Sequence, residues 1–257
     1  VIHILLPDLG QKLLLTASAG AGDAPIDLRQ PAAHRHPPSE PPRRVNDLRF
    51  SPDGRWLAVA SADATIHLHD TLDAAHPRVA RCCGHSSAVT HLDWTTTSDV
   101  LRSNDLGHEL RFWDVPSGEP ITVASACRDL PWATARVTLG YHCQGIFRGR
   151  ADGTGVHAVD RSDDGGLLVT ADDLGQLNLF RNPCVRASGD PKRPGQPNRK
   201  SFAGHASAAL DCQWAHDGGA GQGRAGAAGD DDACVVSAGG YDLALMQWRK
   251  RKASSPV

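Results

Sequence analysis

Short runs of apolar residues recur along this chain, five or six positions at a time, and turn residues separate them. Val45–Phe50 alternates apolar and polar positions, as a half-buried strand does. Ser51-Pro52-Asp53-Gly54 follows and suits a tight turn, with Pro fixing φ and Gly or Asp taking the constrained positions. Trp56–Ser61 is apolar enough for a buried strand, Ala62-Asp63-Ala64 predicts a second turn, and Thr65–His69 predicts a third strand ending at His69-Asp70. The same order returns three times: Val89–Trp94, Val100–Ser103 and Glu109–Trp113; Val156–Asp160, Leu167–Thr170 and Gln176–Phe180; Ala209–Trp214, Cys234–Ser237 and Leu243–Trp248. No stretch sustains a 3.6-residue period, so the pattern predicts an all-β protein with almost no helix.

The segments also carry repeated punctuation. Gly84-His85 is followed, 28 residues after the His, by Trp113-Asp114, and Gly204-His205 is followed, 43 residues after the His, by Trp248. The second interval contains a Gly/Ala/Asp tract, Gly218–Asp232, and without it the two units have one length. A Gly-His opening and a Trp-Asp close on a period of about 40–45 residues is the signature of a WD-repeat β-propeller blade. The expected fold is a partial propeller of about four and a half blades, each of four antiparallel strands.

The organisation follows. Residues 1–17 hold two apolar runs, Val1–Leu6 and Lys12–Thr16, expected as the tail strands of an incomplete blade. Residues 18–44 are Ala, Gly, Pro, His and Arg without periodicity, expected as an exposed loop. Blades are expected over 45–252, with flexible inserts at 186–200 and 218–232, and 253–257 as a tail. The chain opens at Val1, without Met, inside a strand-like run. It is therefore expected to be a fragment or to lack its start, with ring closure depending on further chain.

Composition narrows the function. A net charge of −2 argues against a dedicated nucleic-acid or membrane-surface binder. No apolar run approaches the ~20 residues of a membrane-spanning helix. The seven cysteines are odd in number and have no Cys-x-x-Cys spacing, so reduced thiols in a cytosolic protein are expected.

Several segments together resemble one family. GHSSAVTHLDW (84–94), SNDLGHELRFWDVPSGEPI (103–121), LPWATARVTLG (130–140), ADGTGVHAV (151–159), LVTADDLGQLNLFRNPC (168–184), AGHASAALDCQW (203–214) and SAGGYDLALMQW (237–248) fall in the order seen in the echinoderm microtubule-associated protein-like family. The likeness covers roughly Val45 to Arg249. It implies the later part of that family's second propeller, in a tandem with a first. It also implies a cytoplasmic, cytoskeletal protein-interaction platform that binds tubulin and organises microtubules, without enzymatic activity or cofactor. The chain departs from the family at Gly145-Ile146-Phe147-Arg148, where Gly-Ile-Trp-Pro is usual, and at Ala208-Ala209, where a β-branched residue is usual. The alternative from another class is a general WD-repeat adaptor that scaffolds a signalling or ubiquitin complex without touching microtubules.

By the same resemblance His85, Ser103, Asp105 and Trp113 form a buried hydrogen-bonded chain, and His205, Ser237, Asp242 and Trp248 form another. A buried indole N–H needs an acceptor, and His and Asp orient each other, so the chemistry is structural. The same residue types could make a hydrolase triad, but no Gly-x-Ser-x-Gly turn is present. Asp105 stands eight residues before Trp113 whereas Asp242 stands six before Trp248, which makes Asp105 the less regular member. Gly221–Gly226 satisfies Gly-x-Gly-x-x-Gly without the flanking strand and helix that a dinucleotide site requires. His34-x-His36 has no Cys or carboxylate pattern beside it to complete a metal site. Arg249-Lys250-Arg251-Lys252 could contact acidic tubulin tails or be a solvated chain end.

Overall fold

The computed structural model describes residues 44–147, 154–185, 199–215 and 234–249 in full, together with backbone strands β1 (Ile2–Leu5), β2 (Lys12–Thr16) and β3 (Ile26–Asp27). His34, His36, Gly221–Gly226 and Lys250–Lys252 lie outside the described residues. The chain divides into two compact units, Val1–Ala133 and Thr134–Val257.

In the first unit β1, β2 and β3 form one antiparallel sheet. The pairing Leu15↔Asp27 and Thr16↔Ile26 puts a strand inside the stretch expected as loop. Two residues are too few to show a period. A second sheet has the order β4 (Val45–Phe50), β5 (Trp56–Ser61), β6 (Thr65–Asp70), β7 (Arg78–Cys83). A third contains β8 (Val89–Trp94), β9 (Val100–Asp105) and β10 (Leu110–Asp114). The core between these two sheets is built from Trp56, Ile66, Leu68, Val89, Leu92, Trp94, Leu101 and Trp113. Every residue of β5 is buried, which accounts for its unbroken apolar sequence.

The second unit repeats the plan. One sheet has the order β11 (Val156–Arg161), β12 (Leu167–Asp172), β13 (Gln176–Arg181), β14 (Lys200–Ala203). The other has the order β15 (Ala209–Trp214), β16 (Cys234–Gly239), β17 (Leu245–Arg249). Ala158, Val169, Leu177, Cys212, Trp214 and Val235 pack between them.

Local chemistry repeats with the plan. A Ser and an Asp shape the first hairpin of both four-stranded sheets: Asp53 accepts the Arg55 N–H and Asp164 the Gly166 N–H, while Gly54 and Gly165 take φ of +73° and +69°. A bulge interrupts the first strand of all four of these sheets, at Val45/Asp47, Val89/His91, Val156/Ala158 and Ala209/Asp211.

The sheets differ in strand number. The β4–β7 and β11–β14 sheets have four strands, and the other three have three among the described residues. In the β8–β10 sheet only a single bridge, Trp113↔Pro120, stands where a fourth strand would run. Pro cannot donate to a ladder, which limits the pairing there. Helix among the described residues is confined to two 3₁₀ segments, Ala124–Cys127 and Tyr141–Phe147.

Candidate functional site

Strands β7 and β14 each run directly into a Gly-His pair. Gly84 takes φ of +150° and lies against the Arg111 guanidinium and the Trp113 ring. His85 is then turned inward, its side chain only 1% exposed. Its Nε2 lies 2.7 Å from Ser103 Oγ, and Trp113 Nε1–H donates to the same oxygen at 2.8 Å. Because that oxygen accepts from the indole, its own hydrogen is free to go to Nε2, which assigns the ring proton to Nδ1. Nδ1 faces Asp105 Oδ2 at 3.2 Å. Asp105 also accepts the backbone N–H groups of Ser87 and Glu109. Burial lowers the His85 pKa, and the Asp105 charge only partly opposes this.

In the second unit His205 Nε2 lies 2.7 Å from Ser237 Oγ, Trp248 Nε1–H donates to that oxygen at 2.9 Å, and His205 Nδ1 lies 3.0 Å from Asp242 Oδ2. The environments differ. Trp113 is fully buried, whereas Trp248 is only partly so.

The two aspartates reach equivalent imidazole nitrogens from different places. Asp105 ends β9 and pairs with Val89 across the ladder, a position that Gly239 occupies opposite Ala209 in the second unit. A Cβ on Gly239 would overlap the Asp242 carboxylate, so the glycine makes room for a carboxylate delivered from the following turn. The irregular spacing in the sequence is this exchange of a strand aspartate for a turn aspartate.

Ser103 and Ser237 are 0% and 1% exposed. Their Oγ atoms are engaged by a Trp and a His and are closed to a substrate. His85, Asp105 and Glu109 are the one group of three donors among the described residues whose ligand atoms all lie within 4.8 Å of one another. Arg111 Nε sits 3.2 Å from the Glu109 carboxylate and already neutralises it. Arg249 is exposed at the end of β17.

Three features escaped the sequence reading. Arg102 and Asp93, both buried, are cross-strand partners with Nη2 and Oδ2 2.8 Å apart, and the Trp132 ring stacks on that guanidinium at 4.1 Å. The Pro131-Trp132-Ala133 segment is held against the end of β8, with Thr96 N–H donating to Pro131 O and Ala133 N–H to Trp94 O. Buried Arg136 reaches Asp211 at 2.6 Å and Cys212 O at 2.9 Å. Mirrored charges flanking apolar residues (Asp93-Trp94 and Leu101-Arg102) were the available signal for the first pair.

The family described as echinoderm microtubule-associated protein second beta-propeller matches residues 22–250. The chain belongs to the echinoderm microtubule-associated protein family. Its fold is accordingly a partial WD-repeat β-propeller. Among relatives in the family, rat echinoderm microtubule-associated protein-like 2 is 36% identical over 211 residues, which is 80% of this chain and 29% of the relative. The 77 kDa echinoderm microtubule-associated protein of Strongylocentrotus purpuratus is 37% identical over 203 residues, covering 78% of this chain and 26% of the relative. Human echinoderm microtubule-associated protein-like 1 is 33% identical over 208 residues, covering 80% and 23%. The chain thus spans less than a third of the length of these family members.

Proposed function

We propose that this chain is a non-enzymatic protein-interaction platform within a microtubule-associated protein, cytoplasmic and cytoskeletal, with tubulin as its partner. Family membership carries the reading, since the relatives' names are those of microtubule-associated proteins. The internal chemistry is compatible with it. The two His-Ser-Asp-Trp networks are assigned a structural role, their polar atoms being directed at one another and not at a cavity. Acidic tubulin tails would meet Arg249 and the basic residues that follow it in sequence.

The alternative is the general WD-repeat adaptor. The β15–β17 sheet exposes Leu210, Val236 and Leu245, at 50%, 40% and 78%, as the terminal blade of a partial propeller does, and this exposure favours neither reading.

Pelleting of the full-length protein with taxol-stabilised microtubules separates the two. A charge-assisted contact weakens as salt rises, because exposed charges are screened over ~8–10 Å at 0.10–0.15 M ionic strength. Replacing Arg249, Lys250, Arg251 and Lys252 with Ser or Gln is expected to lower the association rate and leave the fold intact. Equal pelleting at every salt concentration removes the basic tail from the contact. No pelleting by the intact protein removes microtubules as its partner and leaves the adaptor.

A further inference from the structure

A serine on an outer strand combines accessibility with a buried polar connection. Strand β14 is the edge of its sheet, and all four of its residues are exposed. It reads Lys200-Ser201-Phe202-Ala203, and exposed Arg199 precedes it. Ser201 therefore presents two cations on its N-terminal side and an aromatic residue on its C-terminal side, in extended backbone. Its hydroxyl donates to Asn178 Oδ1 at 2.7 Å, and Asn178 is its cross-strand partner.

Asn178 is fully buried, and its orientation is fixed from the other side. Its Nδ2–H donates to Asp172 Oδ2 at 2.8 Å. The other oxygen of Asp172 accepts the N–H groups of Leu174, in the turn before β13, and of Gln176, its first residue. Asn178 thus turns its carbonyl, an acceptor, toward Ser201. Flipping the amide would break the bond to Asp172.

We propose that Ser201 is a phosphorylation site, modified by an ATP-dependent protein kinase that reads basic residues, and that the modification releases β14 from β13. The kinase forms a bond between Ser201 Oγ and the γ-phosphorus of ATP. The bond from that phosphorus to the bridging oxygen breaks, ADP leaves, and the hydroxyl proton passes to the base of the kinase. The product has no hydrogen to give Asn178. It sets a phosphate of about −1.5 to −2 charge against a carbonyl oxygen, one side chain away from the Asp172 carboxylate. An edge strand of four exposed residues has little other burial to hold it in place. Arg199 and Lys200 are positioned to pair with the phosphate once the strand has left.

The effect would extend beyond β14. The Phe202 ring lies 6.4 Å from that of Trp248, and Gly204-His205 follows directly. Displacing the strand therefore disturbs the approach to the second His-Ser-Trp network. This inference is independent of whether tubulin is the partner.

The test treats the full-length protein with the catalytic subunit of cAMP-dependent protein kinase and ATP, maps phosphate by mass spectrometry, and follows amide hydrogen exchange. Phosphate is expected on Ser201, with at least a tenfold drop in the rate when Arg199 and Lys200 are both changed to Ala. Exchange in β13 and β14 is expected to rise about fivefold or more, the equivalent of one net hydrogen bond. It should exceed the rise in Ser201→Ala, which loses the bond without gaining charge. A peptide of residues 196–206 serves as the control substrate. Failure to label the protein overturns the proposal whether or not the peptide is labelled. Phosphate on Ser201 with exchange no faster than in Ser201→Ala overturns the release of the strand.

Discussion

Replacing Ser103 with Ala removes one oxygen from the middle of the first network. That oxygen accepts the Trp113 indole N–H at 2.8 Å and meets His85 Nε2 at 2.7 Å, and the site has 0% exposure at both Ser103 and Trp113. The vacated space is smaller than the ~30 Å³ a water molecule occupies in the liquid. Both ring groups are then left without a partner. Each orphaned group costs about 1–3 kcal/mol, so the substitution should destabilise the fold by about 2–5 kcal/mol. Ser237→Ala is the same chemical change beside a partly exposed Trp248, where water can replace the lost oxygen, and should cost about 1 kcal/mol. Urea unfolding followed by far-UV circular dichroism measures both without relying on tryptophan emission. A double-mutant cycle of Ser103→Ala with Trp113→Phe should show a coupling of about 1 kcal/mol or more. Equal losses at the two serines, or additivity within about 0.3–0.5 kcal/mol in the cycle, would refute the argument that the Trp–Ser bond is a buried one without access to water.

Other expected outcomes are independent of that one. Burial lowers the pKa of His67 from 6.5 to about 4 and also lowers those of His69 and His85. The folded state therefore binds these protons less readily than the unfolded state, and their contribution is complete above pH 6.5 and declines as pH falls toward 4. Urea midpoints between pH 7.5 and 4.5 should show the decline, and His67→Gln should flatten it; a midpoint rising toward acid would contradict the assignment. Asp93→Ala strands a buried guanidinium and should cost about 3–5 kcal/mol, while the pair Asp93→Leu with Arg102→Met should recover most of the loss in the same unfolding assay. Thiol labelling at pH 8 should modify exposed Cys83 first and leave buried Cys82 and Cys212 unreacted until urea is added, since burial pushes Cys82 up to about 12 and Cys212 well above its usual range.

The inner strands were legible because burial writes itself into sequence. Val45–Phe50, Trp56–Ser61, Val89–Trp94 and Ala209–Trp214 have the predicted limits, and the remaining strands agree within a few residues. One difference is at Leu243, which was expected to open the last strand. It takes φ of +52° in the turn, and the strand begins at Leu245. The outer strands β7 and β14 were missed because they are exposed edges, carrying Arg78, Arg81 and Lys200 with no apolar period to detect. The residues of both networks were expected from the resemblance, but the different places from which their aspartates come were not. The way a turn aspartate and a strand aspartate reach the same nitrogen depends on Gly239, whose missing side chain has no signature of its own. Trp132 was noticed as part of a family-specific run, yet its purpose depends on a guanidinium thirty positions earlier that only the folded chain brings beneath it.

The hairpin between β15 and β16 has a practical consequence for protein engineering. Trp214 pairs with Val235, and Ala215 N–H reaches Cys234 O, across a connection roughly four times as long as residues 51–55, which join β4 to β5. The bulge near the start of the first strand is nonetheless the same in both sheets. Two doublings of loop length cost only about 1.2 kcal/mol in closure entropy. The ladder is therefore insulated from what the loop contains. An epitope or a fluorescent reporter spliced between residues 218 and 232 would ride on this blade without disturbing its register, leaving both chain termini free for whatever adjoins them.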